Sequence, residues 1–135
     1  MAADGSLTPV AGSPFPSGGT STINALTLTP SNQNLLTSDV FNSAVSSLAV
    51  AQDGSLQPVP GSPFPATDWV GSIAATRSGK FVYTSLFTRA AVDGWHILDD
   101  GSLRPVPGRP FSTGQAGAGV QALTTFPAPS CSATQ

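Results

Sequence analysis

The chain has 135 residues, enough for one ordinary domain, and only 9% of them are charged, against roughly 25% in a typical soluble chain. Its seven acids are all Asp, its bases are Lys80 and four Arg, and the net charge of −2 excludes a nucleic-acid surface, which needs clustered Lys and Arg. No stretch approaches the ~18 consecutive apolar residues of a membrane span, whereas a hydrophobic content of 39% in short alternating runs suffices for a packed core.

The N-terminus, Met1 to Gly5, lacks the basic start and apolar stretch of a signal peptide. From Asp4 a repeat begins. Asp4 to Pro16 reads DGSLTPVAGSPFP, Asp53 to Pro65 reads DGSLQPVPGSPFP, and Asp100 to Ser112 reads DGSLRPVPGRPFS. Nine of the thirteen positions are identical in all three, at spacings of 49 and 47 residues. Shifted by 47, Thr22–Leu56 lies on Trp69–Leu103 without a gap, so that Leu26 meets Ile73, Leu36 meets Tyr83 and Val45 meets Val92. A third unit starts with Gln121-Ala122-Leu123-Thr124, an echo of Asn24-Ala25-Leu26-Thr27.

A period of this size suits either propeller blades or paired-helix repeats. Each unit is rich in Thr, Val, Ser and Phe and is broken by Pro or Gly about every ten residues, so no run survives long enough for a helix. Four strands per unit are predicted: A at Thr22–Thr29 and Trp69–Thr76, B at Asn34–Ser38 and Phe81–Leu86, C at Ala44–Ala51 and Ala91–Leu98, D at Ser55–Val59 and Ser102–Val106. Asp53-Gly54 and Asp100-Gly101 form the C–D hairpins, because Gly tolerates the positive φ of a tight turn; Ser31-Asn32 and Ser78-Gly79 serve A–B. Pro9, Pro58 and Pro105 place D on an outer edge, since proline donates nothing to a ladder and blocks pairing with other molecules.

The expected fold is all-β: a β-propeller fragment of about two four-stranded antiparallel blades, with single strands at both ends. The blades cover 1–126, in units near 4–52, 53–99 and 100–126, followed by a Pro/Ser-rich tail at 127–135. A ring needs about four to eight blades, so the chain reads as truncated, and its first partners are the remaining blades. The blade faces at its two ends are expected to favour association.

The unit DGSL-x-PV-x-GSPF, with Ser78–Tyr83 reading SGKFVY, resembles the lactonase family of seven-bladed propellers, the 6-phosphogluconolactonase-like proteins. The resemblance runs from Asp4 to about Phe126 and rests on turn glycines, edge prolines and core Phe, Leu and Val. It implies a hydrolase of small sugar lactones, with a non-catalytic binding or scaffold module of the same fold as the alternative, and favours an extracytoplasmic full-length parent. No catalytic motif of the family can be placed residue by residue.

Propeller ligands gather at the channel mouth, on the face of the B–C loops and D–A connections. Asp39, Asn42 and Arg89 are predicted on the former and Asp68, Trp69 and Arg109 on or beside the latter, with Arg77, Lys80, Asp99 and Asp100 on the opposite face. Lactone hydrolysis needs an activated water and a donor to the developing oxyanion. Asp39 or Asp68 is the candidate base, alone or through a divalent metal, and Arg89 the candidate anchor for an anionic substrate. Solvated turn charges explain the same residues. Asn42, Trp69 and Arg109 are candidate ligand contacts. Trp95 replaces Leu48 of the first unit and is assigned to the core. His96 falls within strand C, on the opposite face from Asp93, and forms no obvious dyad with it. Gly114, Gly117 and Gly119 read as a connector, and Cys131 as a free thiol in the tail.

Overall fold

The computed structural model describes residues 4–19, 22–114, 120 and 122–125. Ten strands form: β1 Ile23–Leu28, β2 Asn34–Asp39, β3 Ala44–Val50, β4 Leu56–Pro58, β5 Phe64–Pro65, β6 Val70–Ala75, β7 Phe81–Leu86, β8 Ala91–Ile97, β9 Leu103–Pro105 and β10 Phe111–Ser112. They build two antiparallel meanders, β1-β2-β3-β4 with β5 also on β3, and β6-β7-β8-β9 with β10 also on β8. These are two blades of a β-propeller, with β4/β5 and β9/β10 as their outer edges.

Strands A, B and C lie within a residue or two of their predicted bounds. Strand D does not. It is two short pieces separated by a turn: β4 pairs with the end of β3 (Leu48↔Pro58), and β5 returns to its start (Val45↔Phe64). The reason is the Val-Pro-Gly-Ser-Pro sequence between them. Ser62 N donates to the Val59 carbonyl at 3.0 Å, Gly61 adopts φ 84°, and the Ser62–Pro63 peptide is cis. Ser47 N, in the gap this leaves in the ladder, donates to Ser62 Oγ at 3.0 Å. The same cis bond closes the turn in all three copies, at Ser13–Pro14, Ser62–Pro63 and Arg109–Pro110. The flanking pieces, 4–16 and 122–125, form no strand; the tail at 127–135 and Cys131, Gly117 and Gly119 fall outside the described residues.

The predicted hairpin glycines are left-handed, with φ 83° at Gly54 and 79° at Gly101, and Asn32 takes the same region at 58°. The second C–D turn does more than reverse the chain. A Cβ at Gly101 would strike the Asn34 side chain of the first blade, and the Gly101 carbonyl accepts 2.7 Å from Ser47 Oγ. The turn of one blade is thus a contact of its neighbour.

The core lies between the two sheets. Leu36 and Val45 of blade one meet Ile73, Val82, Trp95 and Leu103 of blade two, all nearly or fully buried. Burying such side chains is worth about 1.5–3 kcal/mol each relative to exposure, which is what holds one blade on the other.

Candidate functional site

One end of the sheets carries the β2–β3 loop, the β7–β8 loop and the connection from β5 to β6. Asp39 closes β2 and is fully buried. Asn42, in the β2–β3 loop, donates from Nδ2 to Asp39 Oδ2 at 2.8 Å. Gly19 comes so close to this carboxylate that a Cβ there would collide with Oδ2. Beside them opens a pocket of about 310 Å³ lined by Gly18, Gly19, Asn42, Ala44, Pro63 and Pro65.

The second group lies at the surface, with Trp69, Thr88 and Arg89 exposed and Asp68 half-buried beneath them. Asp68 and Trp69 end the inter-blade connection, and Thr88 and Arg89 lie on the β7–β8 loop. Asp68 Oδ2 accepts from Thr88 Oγ1 and from Arg89 Nε, the latter at 2.8 Å, while Oδ1 accepts from Trp69 N at 2.8 Å. The hydroxyl of Thr88, followed by the Trp69 amide and Arg89, holds the Asp68 carboxyl below its ordinary value. A carboxylate stabilised in this way is a weak base and a firm anchor for Arg89. Trp69, 45% exposed, meets the 61% exposed Phe41 edge to face, with ring centroids 5.6 Å apart. Phe41 was not among the predicted candidates; an aromatic residue in a turn between two strands is its sequence signal.

The third group is buried. Asp93, on β8, accepts at Oδ2 from Thr67 N (2.8 Å), Thr67 Oγ1 (3.0 Å) and Arg109 (3.1 Å). Arg109 also donates to the Pro65 carbonyl at 3.1 Å, and its guanidinium carbon lies 4.7 Å from the centroid of a Trp95 ring. Arg109 sits in the turn that interrupts strand D, just before the D–A connection, and its donors tie blade two to the end of β5 in blade one. Asp93 and Arg109 are replacements of Ser46 and Ser62, and two opposite charges arising in one unit is the signal for the pair. Trp95 is fully buried in the core, as assigned. His96 is on the other face of β8, edge-on to Phe81 at 4.9 Å.

The structure thus brings Asp68, Trp69 and Arg89 together, and Asp39 with Asn42, while Arg109 belongs to a separate lock. Among the described residues no three His, Cys, Asp or Glu side chains converge into a metal-binding group.

No family model and no curated protein matches the chain. Solved structures do. A functionally unknown protein from Desulfotomaculum acetoxidans is 26% identical over 77% of this chain and 31% of its own, with a TM-score of 0.65. The periplasmic gluconolactonase of Pseudomonas aeruginosa is 21% identical over 87% of this chain and 35% of its own, with a TM-score of 0.67. A candidate 6-phosphogluconolactonase from Bacteroides uniformis is 17% identical over 83% and 35%, with a TM-score of 0.66. The resemblance is to lactonase-like propellers, at the level of fold. This chain spans about a third of the length of each of these structures.

Proposed function

We propose that this chain forms part of the mouth of a lactonase-like propeller and holds a small sugar lactone there. The observation that carries the reading is the exposed Phe41–Trp69 pair beside the Asp68–Arg89 pair, at the end of the sheets where loops of both blades meet. Aromatic faces stack on the apolar side of a sugar ring, and an exposed guanidinium still has N–H groups to offer a carboxylate or phosphate on the same ligand. Asp68 positions Arg89 rather than serving as the base. Asp39, buried beside the Gly19 pocket, is the carboxylate left for that role.

The second reading, a non-catalytic binding module, is favoured by a specific observation. Asp39, Asp68 and Asp93 each already accept hydrogen bonds from the protein. On either reading the isolated chain has no measurable lactonase activity, because one oxyanion donor alone is worth roughly 10²–10³ in rate and a mouth of two blades cannot surround a substrate. The test titrates the chain with gluconolactone and with 6-phosphogluconolactone by calorimetry, and then assays hydrolysis. Weak binding lost in Trp69→Ala, with the phosphorylated ligand selectively weakened in Arg89→Ala, is expected. Turnover abolished by both Asp39→Ala and Arg89→Ala would make those two residues a complete site. Binding unchanged by either Trp69→Ala or Arg89→Ala would remove this surface as the ligand site.

A further inference from the structure

The two blades differ in how they fill the gap between the incoming connection and the turn that interrupts strand D. In blade two the protein itself crosses the gap. Arg109 reaches from the turn to the Pro65 carbonyl at 3.1 Å, and Asp93 takes hydrogen bonds from Thr67 and Arg109. In blade one all four positions are smaller. Ser62 stands for Arg109, Ser46 for Asp93 and Leu48 for Trp95, and Gly18, two residues after Pro16, stands for Thr67, two residues after Pro65. The pocket of about 310 Å³ opens there, between Gly18 and Gly19 on the connection and Pro63 and Pro65 on the outer edge. Its volume is at the lower end of the roughly 300–1,000 Å³ of small-molecule sites. The lining residues, and the Arg109 side chain that crosses the same gap one repeat later, all lie in described segments.

The sheet face behind this pocket is polar. Thr37 opposes Ser46 and Asp39 opposes Ala44 in the β2–β3 register, so all four share the face that brings Ala44 to the pocket wall. Thr37 Oγ1 and Ser46 Oγ are buried and have no hydrogen-bond partner among the described residues. Their counterparts in blade two are paired: Thr84 Oγ1 donates to the Ser72 carbonyl at 2.9 Å, and Asp93 holds Thr67 and Arg109. Buried hydroxyls are normally paired, so an unpaired one marks a place where a further donor or acceptor belongs. Asp39 stands where blade two has Leu86, which packs with Val70 and Ala91. A carboxylate has thus replaced an apolar side chain directly behind Gly19 and Asn42 of the wall. We infer that this pocket binds a small guanidinium compound, whose cation takes the place that the Arg109 guanidinium holds in blade two. Such a cation is planar, offers several N–H donors and is weakly hydrated, which suits hydroxyl and carboxylate acceptors set behind glycine and proline walls. The inference is separate from the lactone reading, and a chain that binds no lactone leaves it standing.

The experiment titrates the isotopically labelled 135-residue chain with ethylguanidinium chloride and follows its amide signals by NMR. Saturable shifts at Gly18, Gly19, Asn42 and Ala44 with a dissociation constant of about 1 mM are expected. Ethylurea has nearly the same shape without the charge and should bind at least about tenfold more weakly. Shifts that never saturate, or that spare these four residues, overturn the inference, and so does ethylurea binding as tightly as the cation. Free arginine should bind at least as tightly as an arginine held inside a short capped glycine peptide. Binding of the peptide alone would move the ligand to another polypeptide and overturn the small-compound assignment. Ser46→Asp with Ser62→Arg places the blade-two pair in blade one. Ser47 N then loses the Ser62 hydroxyl, but in blade two the matching amide, Gly94 N, is taken by Asp93 Oδ1 at 3.0 Å. The double variant should melt no lower than the unmodified chain and lose ethylguanidinium binding, because its own guanidinium fills the gap. A folded double variant that binds as before overturns the inference. Should it unfold, Asp39→Asn replaces it, with a weakening of at least about tenfold expected and an unchanged affinity ruling out the site.

Discussion

Blade one and blade two have the same strands in the same register, yet their outer halves are joined by different chemistry. In blade one, Ser62 fills the gap in the ladder with its hydroxyl, Ser46 is fully buried, and Leu48 packs in the apolar layer. In blade two those three positions are Arg109, Asp93 and Trp95, which form an ion pair under an aromatic ring. The backbone barely registers the exchange: the strand pairing is the same in both blades, Leu48↔Pro58 matching Trp95↔Pro105 and Val45↔Phe64 matching Val92↔Phe111. What changes is reach. Ser62 bonds within its own blade, whereas Arg109 bonds to Pro65 at the end of β5 and Asp93 to Thr67 on the connection that follows it. A repeat can thus keep its shape through backbone devices while its polar interior is free to specialise.

The largest expected effect comes from breaking the specialised half of that comparison. Arg109→Ala leaves the fully buried Asp93 without its cation and should cost about 3–5 kcal/mol, read from urea unfolding. Returning both positions to the blade-one residues, Asp93→Ser with Arg109→Ser, should recover most of that loss. A double variant no better than Arg109→Ala would mean the lock is not a unit.

Trp95→Leu, the blade-one residue at that position, should cost roughly 2 kcal/mol through lost packing alone. Combined with Arg109→Ala it should cost less than the sum, since the ring and the guanidinium share a contact. Thermal melts of the two single variants and the pair decide this.

A smaller difference is expected between the two hairpin glycines. Both adopt a left-handed φ that costs an alanine about 1–2 kcal/mol. Gly101→Ala additionally displaces Asn34, whereas a Cβ at Gly54 meets Val10 at 3.3 Å and asks little of it. Gly101→Ala should therefore be the more destabilising by about 1 kcal/mol. Equal costs would show that the turn contributes only its own geometry.

The smallest effect concerns the mouth, where Phe41 and Asn42 of blade one correspond to Thr88 and Arg89 of blade two. Asp68, held by Thr88, the Trp69 amide and Arg89, has its folded pKa depressed below the unfolded value. Its contribution is present above the unfolded pKa of about 4 and is lost as pH falls through the lower folded value. Between pH 7 and pH 3 the unmodified chain should lose slightly more stability than Asp68→Asn. Arg89 is half exposed, so Arg89→Ala should change stability by less than about 1 kcal/mol.

Much of the fold was legible because strands A to C are bounded by turn residues whose geometry is local. Asp-Gly and Ser-Asn say where a chain reverses without knowledge of its neighbours. Strand D was read short because Phe64–Pro65 and Phe111–Ser112 follow a proline turn and resemble a linker; only their pairing back to β3 and β8 makes them strands. At the site, Asp68, Trp69 and Arg89 lay within two predicted loops, and the fold needed only to bring those loops together. The Asp93–Arg109 pair was harder. It joins a residue mid-strand to one in a turn 16 residues on, and the third partner, Thr67, comes from the preceding connection. Within its own strand Asp93 has only one titratable neighbour, His96, on the opposite face, and its partners lie across the sheet edge.

The contact of Gly101 with Asn34 and Ser47 has one more implication, for how the molecule comes apart. The second hairpin is seated on the first blade through the Ser47 bond to the Gly101 carbonyl. The part expected to open as a unit is therefore not a blade. It runs from the middle strands of one repeat to the C–D hairpin of the next, so amide protection along β3 should rise and fall with the turn at Asp100–Gly101 rather than with the turn at Asp53–Gly54 that adjoins β3 in sequence.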